Sequence, residues 1–206
     1  MEQMNELSLR GFTAALSEKT SVPGGGGASA LAAALGAALG GMVCAYTVGS
    51  PKYAAVDGDV RRILAACETL REQALACIDA DAEAFAPLAQ AYRIPKDDPS
   101  RAETLERCLH AAAQPPMEVL RLCCRAIGLH AQLLEKGSAM LLSDVGTGTA
   151  LCRGALCGAA LNVRVNTRLM TDRAFADALN AEVDECMAHY GQLAELICEQ
   201  VAERLR

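Results

Sequence analysis

From Thr20 to Pro51 the chain carries no charged side chain, and this stretch opens with Ser21-Val22-Pro23-Gly24-Gly25-Gly26-Gly27. A proline followed by four glycines is nearly bare backbone with free access to positive φ. The run from Ala28 to Thr47 then consists of strong helix formers broken only by isolated glycines. Bare peptide N–H groups therefore lead into a helix N-terminus, which suits an anionic or electron-rich ligand. A phosphate-binding P-loop is excluded, because Gly27 is followed by Ala28-Ser29 and not by Lys-Ser/Thr. A dinucleotide-binding turn is excluded too: the residues before Pro23 are polar and short, and Ser29 stands where the third glycine belongs. A flexible connector between two helices remains the alternative.

The uncharged stretch is long enough to cross a bilayer, but its Ala, Gly, Ser and Thr content supplies little insertion energy. It also begins with helix-breaking residues and lacks a basic flank. A buried central helix from Ala28 to Gly49 is expected instead, with no membrane contact. Leu31, Leu35, Leu39 and Met42/Val43 form one stripe on it, and Gly36 and Gly40 would admit another helix closely, as at a subunit interface. Aromatic content of 3% and the absence of Trp favour helix-on-helix packing over a β-sandwich. The 206 residues suit one domain, 1–206, with a proper core.

A net charge of −6 with three scattered His offers no basic stripe for nucleic acid. The ten Cys show no CxxC pair, so neither a metal site nor a redox motif is expected. The opening Met1-Glu2-Gln3-Met4-Asn5-Glu6 lacks the basic head and apolar run of a secretory leader. Reduced core thiols and a cytoplasmic location are therefore expected.

Almost every other segment reads as helix. Leu7 to Glu18 is a short amphipathic entry. Asp59 to Tyr92 repeats apolar residues near a 3.6 period, and Ile94-Pro95-Lys96-Asp97-Asp98-Pro99 stops it. Ser100-Arg101-Ala102-Glu103 reads as a capping box, and Pro115-Pro116 as an interruption before a helix over Met117 to Glu135. Ser143-Asp144 would cap a helix through Ala160, and Thr171-Asp172 would open the last, to Arg206. Leu161 to Val165 is the one strand candidate. The expected fold is an all-α, up-and-down bundle of long antiparallel helices.

Asp81 stands out for chemistry. It lies four residues after Cys77 and four before Phe85, on the apolar stripe of its helix. Burial there raises a carboxyl pKa toward proton-transfer duty near neutrality. The alternative is a core aspartate satisfied by a Lys or a backbone N–H. Asp79, two residues earlier, should face solvent. Lys52-Tyr53 follows the Ala/Gly helix and could hold an anion or complement the helix dipole. Asp144 lies at a break between helices. Asn162, Arg164 and Asn166 offer amides and a guanidinium, and an amide can both donate to and accept from a heterocycle edge.

Taken in order, these segments resemble one known family. They are Leu7-Ser8-Leu9-Arg10-Gly11-Phe12, Pro23-Gly24-Gly25-Gly26, Val48-Gly49 with Lys52-Tyr53, Asp79-Ala80-Asp81-Ala82-Glu83-Ala84-Phe85, Ile94-Pro95-Lys96, Ser143-Asp144-Val145 and Asn162-Val163-Arg164-Val165-Asn166. The chain is similar throughout to the cyclodeaminase/cyclohydrolase family, which includes the C-terminal half of formiminotransferase-cyclodeaminase and stand-alone methenyltetrahydrofolate cyclohydrolases. The resemblance implies an all-helical homodimer acting on a one-carbon-loaded tetrahydrofolate derivative, with no other cofactor. It implies hydrolysis of 5,10-methenyltetrahydrofolate to 10-formyltetrahydrofolate; the alternative is closure of 5-formimino-tetrahydrofolate with loss of ammonia. A folate binder without catalysis is a further alternative. Asp81 matches the family's catalytic aspartate, with Lys52 as its partner. Pro23, Gly24, Gly25, Gly26, Gly27, Tyr53, Asp144, Asn162, Arg164 and Asn166 would bind substrate. Ser50-Pro51 and Arg168 depart from the family's pattern, which implies weaker anchoring of a polyglutamate tail.

Overall fold

The structure, a computed structural model, describes residues 3–206. Seven helices account for most of them: α1 (Leu9–Ser17), α2 (Gly25–Thr47), α3 (Asp57–Ala91), α4 (Arg101–Lys136), α5 (Leu142–Thr167), α6 (Arg173–Cys186) and α7 (Gln192–Arg204). Helices α2 to α5 form an antiparallel four-helix bundle. Gly27 at the start of α2 meets Asp81 late in α3, whereas Gly49 just beyond α2 meets Asp57 at the start of α3. Lys136 at the end of α4 pairs with Asp59, and Asn166 at the end of α5 reaches Ala112 early in α4. Gly49, at φ +75°, provides the left-handed residue that ends α2.

Helix α2 sits at the centre because its small residues let three neighbours close in. A methyl group at Gly36 would lie 2.3 Å from Cys152 Sγ of α5, and one at Gly148 of α5 would lie 2.4 Å from His130 of α4. Gly40 likewise faces Cys67 of α3. The close approach expected at Gly36 and Gly40 is thus made within one chain, not between subunits. Helix α2 is long and apolar enough to cross a membrane, yet it serves here as the hub of the bundle. Its outer side leaves Leu35, Met42 and Tyr46 exposed, and α5 beside it leaves Leu161 and Val165 exposed.

His130 is fully buried at this crossing. Burial holds its imidazole down at about 4, against the opposing pull of the Gly36 carbonyl that its Nε2 meets at 3.0 Å. It is therefore neutral, and Nε2–H donates. All ten cysteines are free: seven are buried and three partly so, as expected of core thiols. Burial raises the Cys152 thiol to about 12 and Cys77 to about 11. Such thiols pack as small hydrophobes.

Several boundaries differ from expectation, each for a local reason. Helix α4 runs unbroken through Pro115-Pro116. Pro116 has no N–H for the Ala112 carbonyl one turn back, and Asn166 Nδ2 donates to that oxygen at 3.2 Å instead. Helix α5 continues through Leu161 to Val165, so no strand forms there. Ser100 does not cap α4; Asp98 accepts from both its N–H and its hydroxyl. Ser143 and Asp144 lie inside the first turn of α5 and do not precede it. The expected helix from Thr171-Asp172 is present, with Asp172 accepting from Phe175 N–H. It passes through a wider π turn at Met187–Gly191 into α7. Asp79 does not face solvent freely: it accepts from the N–H groups of Met4 and Asn5, fastening the N-terminal turn to α3.

Candidate active site

The glycines do not form a loop ahead of the helix. Gly24 is the N-cap of α2, and Gly25, Gly26 and Gly27 make its first turn. Ala28 N–H already donates to the Gly24 carbonyl, so the glycine N–H groups lack intrahelical partners. Asp81, on α3, takes one of them: Gly27 N–H donates to its Oδ2 at 3.2 Å. The other carboxyl oxygen lies against Gly26, where a Cβ would sit 2.1 Å from Oδ1. Only glycine admits the carboxyl at that point. The run is bare so that this acid can touch the helix end.

Burial pushes the Asp81 carboxyl above the usual range, and the single Gly27 N–H only partly offsets this. Among the described residues no Lys, Arg or His pairs with it. Asp81 therefore keeps its proton to a higher pH than an ordinary aspartate does, which suits a group that gives a proton and takes it back.

A cavity of about 220 Å³ opens beside it, with Asp81, Gly25, Gly26, Phe85, Asn162 and Asn166 among its lining residues. The two asparagines lie one turn apart on α5 and face the same way. Asn162 Nδ2 donates to the Gly158 carbonyl at 2.8 Å; Asn166 Nδ2 donates to the carbonyls of Asn162 and Ala112. Asn166 thus spends both its N–H groups on backbone, and Asn162 spends one of its two. Their amide oxygens stay available as acceptors. The cavity therefore combines one protonatable acid with two fixed acceptors, a pattern for a donor-rich heterocycle.

The structure divides the expected residues into three groups. Gly24, Gly25, Gly26, Asp81, Asn162 and Asn166 line this cavity, with Gly27 bonded to Asp81 and Pro23 buried just behind. Lys52 and Tyr53 line a different cavity, about 440 Å³, at the opposite end of the bundle. Twenty helical residues separate Gly27 from Thr47, which sets the two ends about 30 Å apart. Tyr53 Oη there accepts from Ala139 N–H at 3.0 Å. Asp144, in the first turn of α5, is also at that far end. Within one chain none of these three reaches Asp81. Arg164 points away from the cavity and pairs with Asp184 of α6. Once Leu161 to Val165 is helical, Arg164 no longer shares a face with Asn162 and Asn166.

Sequence reading missed Pro116, Ala112 and Val165 as cavity walls. Pro116 had a readable signal: a proline inside a helix frees a carbonyl, and a side-chain donor must answer it. Among the described residues no cluster of His, Cys, Asp and Glu could hold a metal ion.

Residues 8–185 match the family profile described as formiminotransferase-cyclodeaminase. The chain belongs to that family. Over 202 residues it is 36% identical to the methenyltetrahydrofolate cyclohydrolase of Methylorubrum extorquens, covering 96% of this chain and 97% of that one. It is 28% identical to the formimidoyltransferase-cyclodeaminase of Mus musculus, with 98% of this chain covered but only 38% of the larger protein. The crystal structure of formiminotetrahydrofolate cyclodeaminase from Thermotoga maritima superimposes with a TM-score of 0.91 at 26% identity, covering 98% of each chain. The chain is thus an enzyme of the folate cyclodeaminase/cyclohydrolase type.

Proposed function

We propose that the chain closes 5-formimino-tetrahydrofolate to 5,10-methenyltetrahydrofolate, with Asp81 as the proton donor that releases ammonia. The observation that carries this reading is a buried carboxyl without a cationic partner, set against the first turn of α2 beside two acceptor amides. The family profile, the mouse relative and the Thermotoga maritima structure, each bearing a cyclodeaminase name, support it.

The substrate's N10 adds to the formimino carbon, and the proton it sheds passes to the imine nitrogen. A tetrahedral carbon then bears N5, N10 and an amine. Asp81 gives its proton to that amine, the carbon–nitrogen bond breaks, ammonia departs, and the methenyl cation remains. Solvent restores the proton to Asp81. The Asn162 and Asn166 oxygens accept from the N–H donors of the pterin, fixing its orientation.

A second reading, hydrolysis of 5,10-methenyltetrahydrofolate to 10-formyltetrahydrofolate, is favoured by the Methylorubrum extorquens relative. There water adds to the methenyl carbon while Asp81 carboxylate takes its proton. Asp81 returns that proton to N5, the carbon–N5 bond breaks, and the hydroxyl proton leaves to solvent, so the carbon stays on N10 as a formyl group.

The working unit in this reading is a homodimer paired through the uncharged outer face of α2 and α5, where Leu35, Met42, Tyr46 and Leu161 are exposed. The roles expected of Lys52, Tyr53 and Asp144 require that second copy. An antiparallel pair sets one subunit's Lys52 end beside the other's Asp81 end.

Purified protein is assayed with 5-formimino-tetrahydrofolate and, separately, with 5,10-methenyltetrahydrofolate, following the methenyl absorbance, and its mass is read by light scattering. Appearance of the chromophore from the formimino compound is expected, from a particle of twice the chain's mass. Disappearance of the methenyl compound alone would replace the first reading with the second. Inertness toward both compounds sinks the proposal.

A further inference from the structure

The two prolines inside α4 change the backbone alike but in different surroundings. Neither Pro115 nor Pro116 has an N–H, so the carbonyls of Ala111 and Ala112, one turn back, are freed. Ala111 lies on the exposed side of α4, where water serves its carbonyl. Ala112 is buried and lines the Asp81 cavity. The donor that answers its carbonyl is Asn166 Nδ2, from α5, at 3.2 Å. A proline ring also crowds the carbonyl one turn back and tilts it off the helix axis, here toward α5.

This contact decides which way Asn166 faces. Its Nδ2 carries two hydrogens, and the other goes to the Asn162 carbonyl at 2.9 Å. With both committed to backbone, the amide plane is fixed and the oxygen is the atom left over. A half-turn of the amide would set that oxygen against two carbonyl oxygens. Asn166 Oδ1 takes no donor among the described residues and stays open to the cavity. Asn162, by contrast, is held by one contact only, from Nδ2 to the Gly158 carbonyl at 2.8 Å. Without the Ala112 carbonyl, Asn166 would be held no better, with one hydrogen free to point into the cavity.

We infer that Pro116 is a positioning residue for substrate recognition, reserving the Ala112 carbonyl for Asn166 so that this amide offers the cavity an acceptor and no donor. This rests on the folate reading above, and it names what sets the cavity's preference for a ring edge bearing N–H groups. Alanine at position 116 would return an N–H that bonds Ala112 within α4 and draws the carbonyl back to the helix axis. Asn166 then loses a partner and turns either way, and the ligand must select the correct orientation at its own cost.

The test is a double-mutant cycle on the full chain, read by two measurements. One is equilibrium binding of 5-formyltetrahydrofolate, a stable tetrahydropterin that neither reaction takes as substrate. The other is urea unfolding. Pro116→Ala should bind the probe about tenfold more weakly, the worth of one hydrogen bond, and raise KM equally with kcat within about twofold. Pro115→Ala, the same change where the freed carbonyl faces water, should leave these values unaltered. Asn166→Ala should weaken binding by about tenfold or more and lower the urea midpoint, because the Ala112 carbonyl is then buried without a donor. Adding Pro116→Ala to Asn166→Ala should raise the midpoint again, since the new N–H takes up that carbonyl, yet change affinity by less than about twofold. Stability is rescued and recognition is not.

An affinity loss that persists in the Asn166→Ala background would make Pro116 a mere wall of the cavity and overturn the inference. So would a Pro116→Ala protein of unchanged affinity, or one that does not fold. Turnover with no response to Pro116→Ala would leave the proposed reaction standing without this positioning. The expected response in binding, from a protein inert toward both folate substrates, would uphold the role of Pro116 and remove the reaction. A protein that binds no tetrahydropterin loses both.

Discussion

Asp81 and Glu106 are acids toward the same end of the bundle, and their surroundings pull them in opposite directions. Burial raises both. Asp81 receives one backbone N–H in return, and its carboxyl stays above the ordinary range. Glu106 receives the N–H groups of Thr171 and Asp172, the Thr171 hydroxyl and the His110 ring, and these overcome its burial and hold it at about 2. The number of donors decides the outcome. Glu106 binds the start of α6 to α4 as a permanent anion, with His110 stacked on Phe175 beside it. Asp81 has been left short of donors, and a carboxyl in that state can exchange protons with a substrate.

Removing the proton from the under-supplied acid is the most severe way to break this contrast. Asp81→Asn keeps the shape and the Gly27 contact but cannot transfer a proton. Turnover should fall at least a hundredfold, about the lower end of what one positioned acid/base contributes, with folate affinity little changed. Steady-state kinetics and equilibrium binding check both halves, and near-normal turnover would remove Asp81 from the mechanism. The pH profile sharpens the result. An acid that must be protonated loses rate as pH rises through its elevated pKa. A base for hydrolysis gains rate over the same range. The limb, in either direction, should vanish in Asp81→Asn.

Next in size is Gly26→Ala. Its methyl group would overlap the Asp81 carboxyl, at 2.1 Å from Oδ1, and the clash is relieved only if the acid swings away from the cavity. Alanine otherwise favours a helix over glycine by about 1 kcal/mol. Turnover should therefore drop tenfold or more while helical circular dichroism and folding cooperativity are retained. Unchanged kinetics would show that the acid has freedom to move, and that its position against α2 is not what sets its reactivity.

Much of this was legible in the sequence, for identifiable reasons. Asp81 followed from phase alone, because a carboxyl among Cys77, Ile78 and Phe85 on one helical stripe has to be buried. The bundle followed from long 3.6-period segments with short connections. What escaped was whatever depends on a neighbour distant in sequence. Pro115-Pro116 looked like a break because Asn166, the donor that takes up the freed Ala112 carbonyl, lies fifty-four residues away. Asp79 looked solvent-facing because its partners, Met4 and Asn5, belong to the N-terminal turn. Lys52 was read as a neighbour of Asp81 through family resemblance, whereas the length of α2 places it at the opposite end of the chain's own bundle.

The smallest effect is expected at the well-supplied acid, and it falls on a different observable. Glu106→Gln keeps one acceptor oxygen but turns an amide N–H₂ toward donors that have no other use for it. A lost charge-assisted contact with an unsatisfied donor costs about 1–3 kcal/mol, so the unfolding free energy read from a urea titration should fall by that amount, at unchanged m. Turnover should stay within about twofold, because Glu106 touches neither Asp81 nor its cavity. The sign of the pH dependence is fixed as well. The folded-state pKa of about 2 lies below the ordinary 4.5, so the folded protein binds fewer protons at Glu106 than the unfolded chain does in between. Its stabilisation is complete above about pH 4.5 and drains away as pH falls toward 2. Wild type should lose stability across that window faster than Glu106→Gln. Parallel acid-unfolding curves for the two proteins, or a turnover that collapses with the stability, would mean that the two acids are not separate devices and that the donor count does not distinguish strut from reagent.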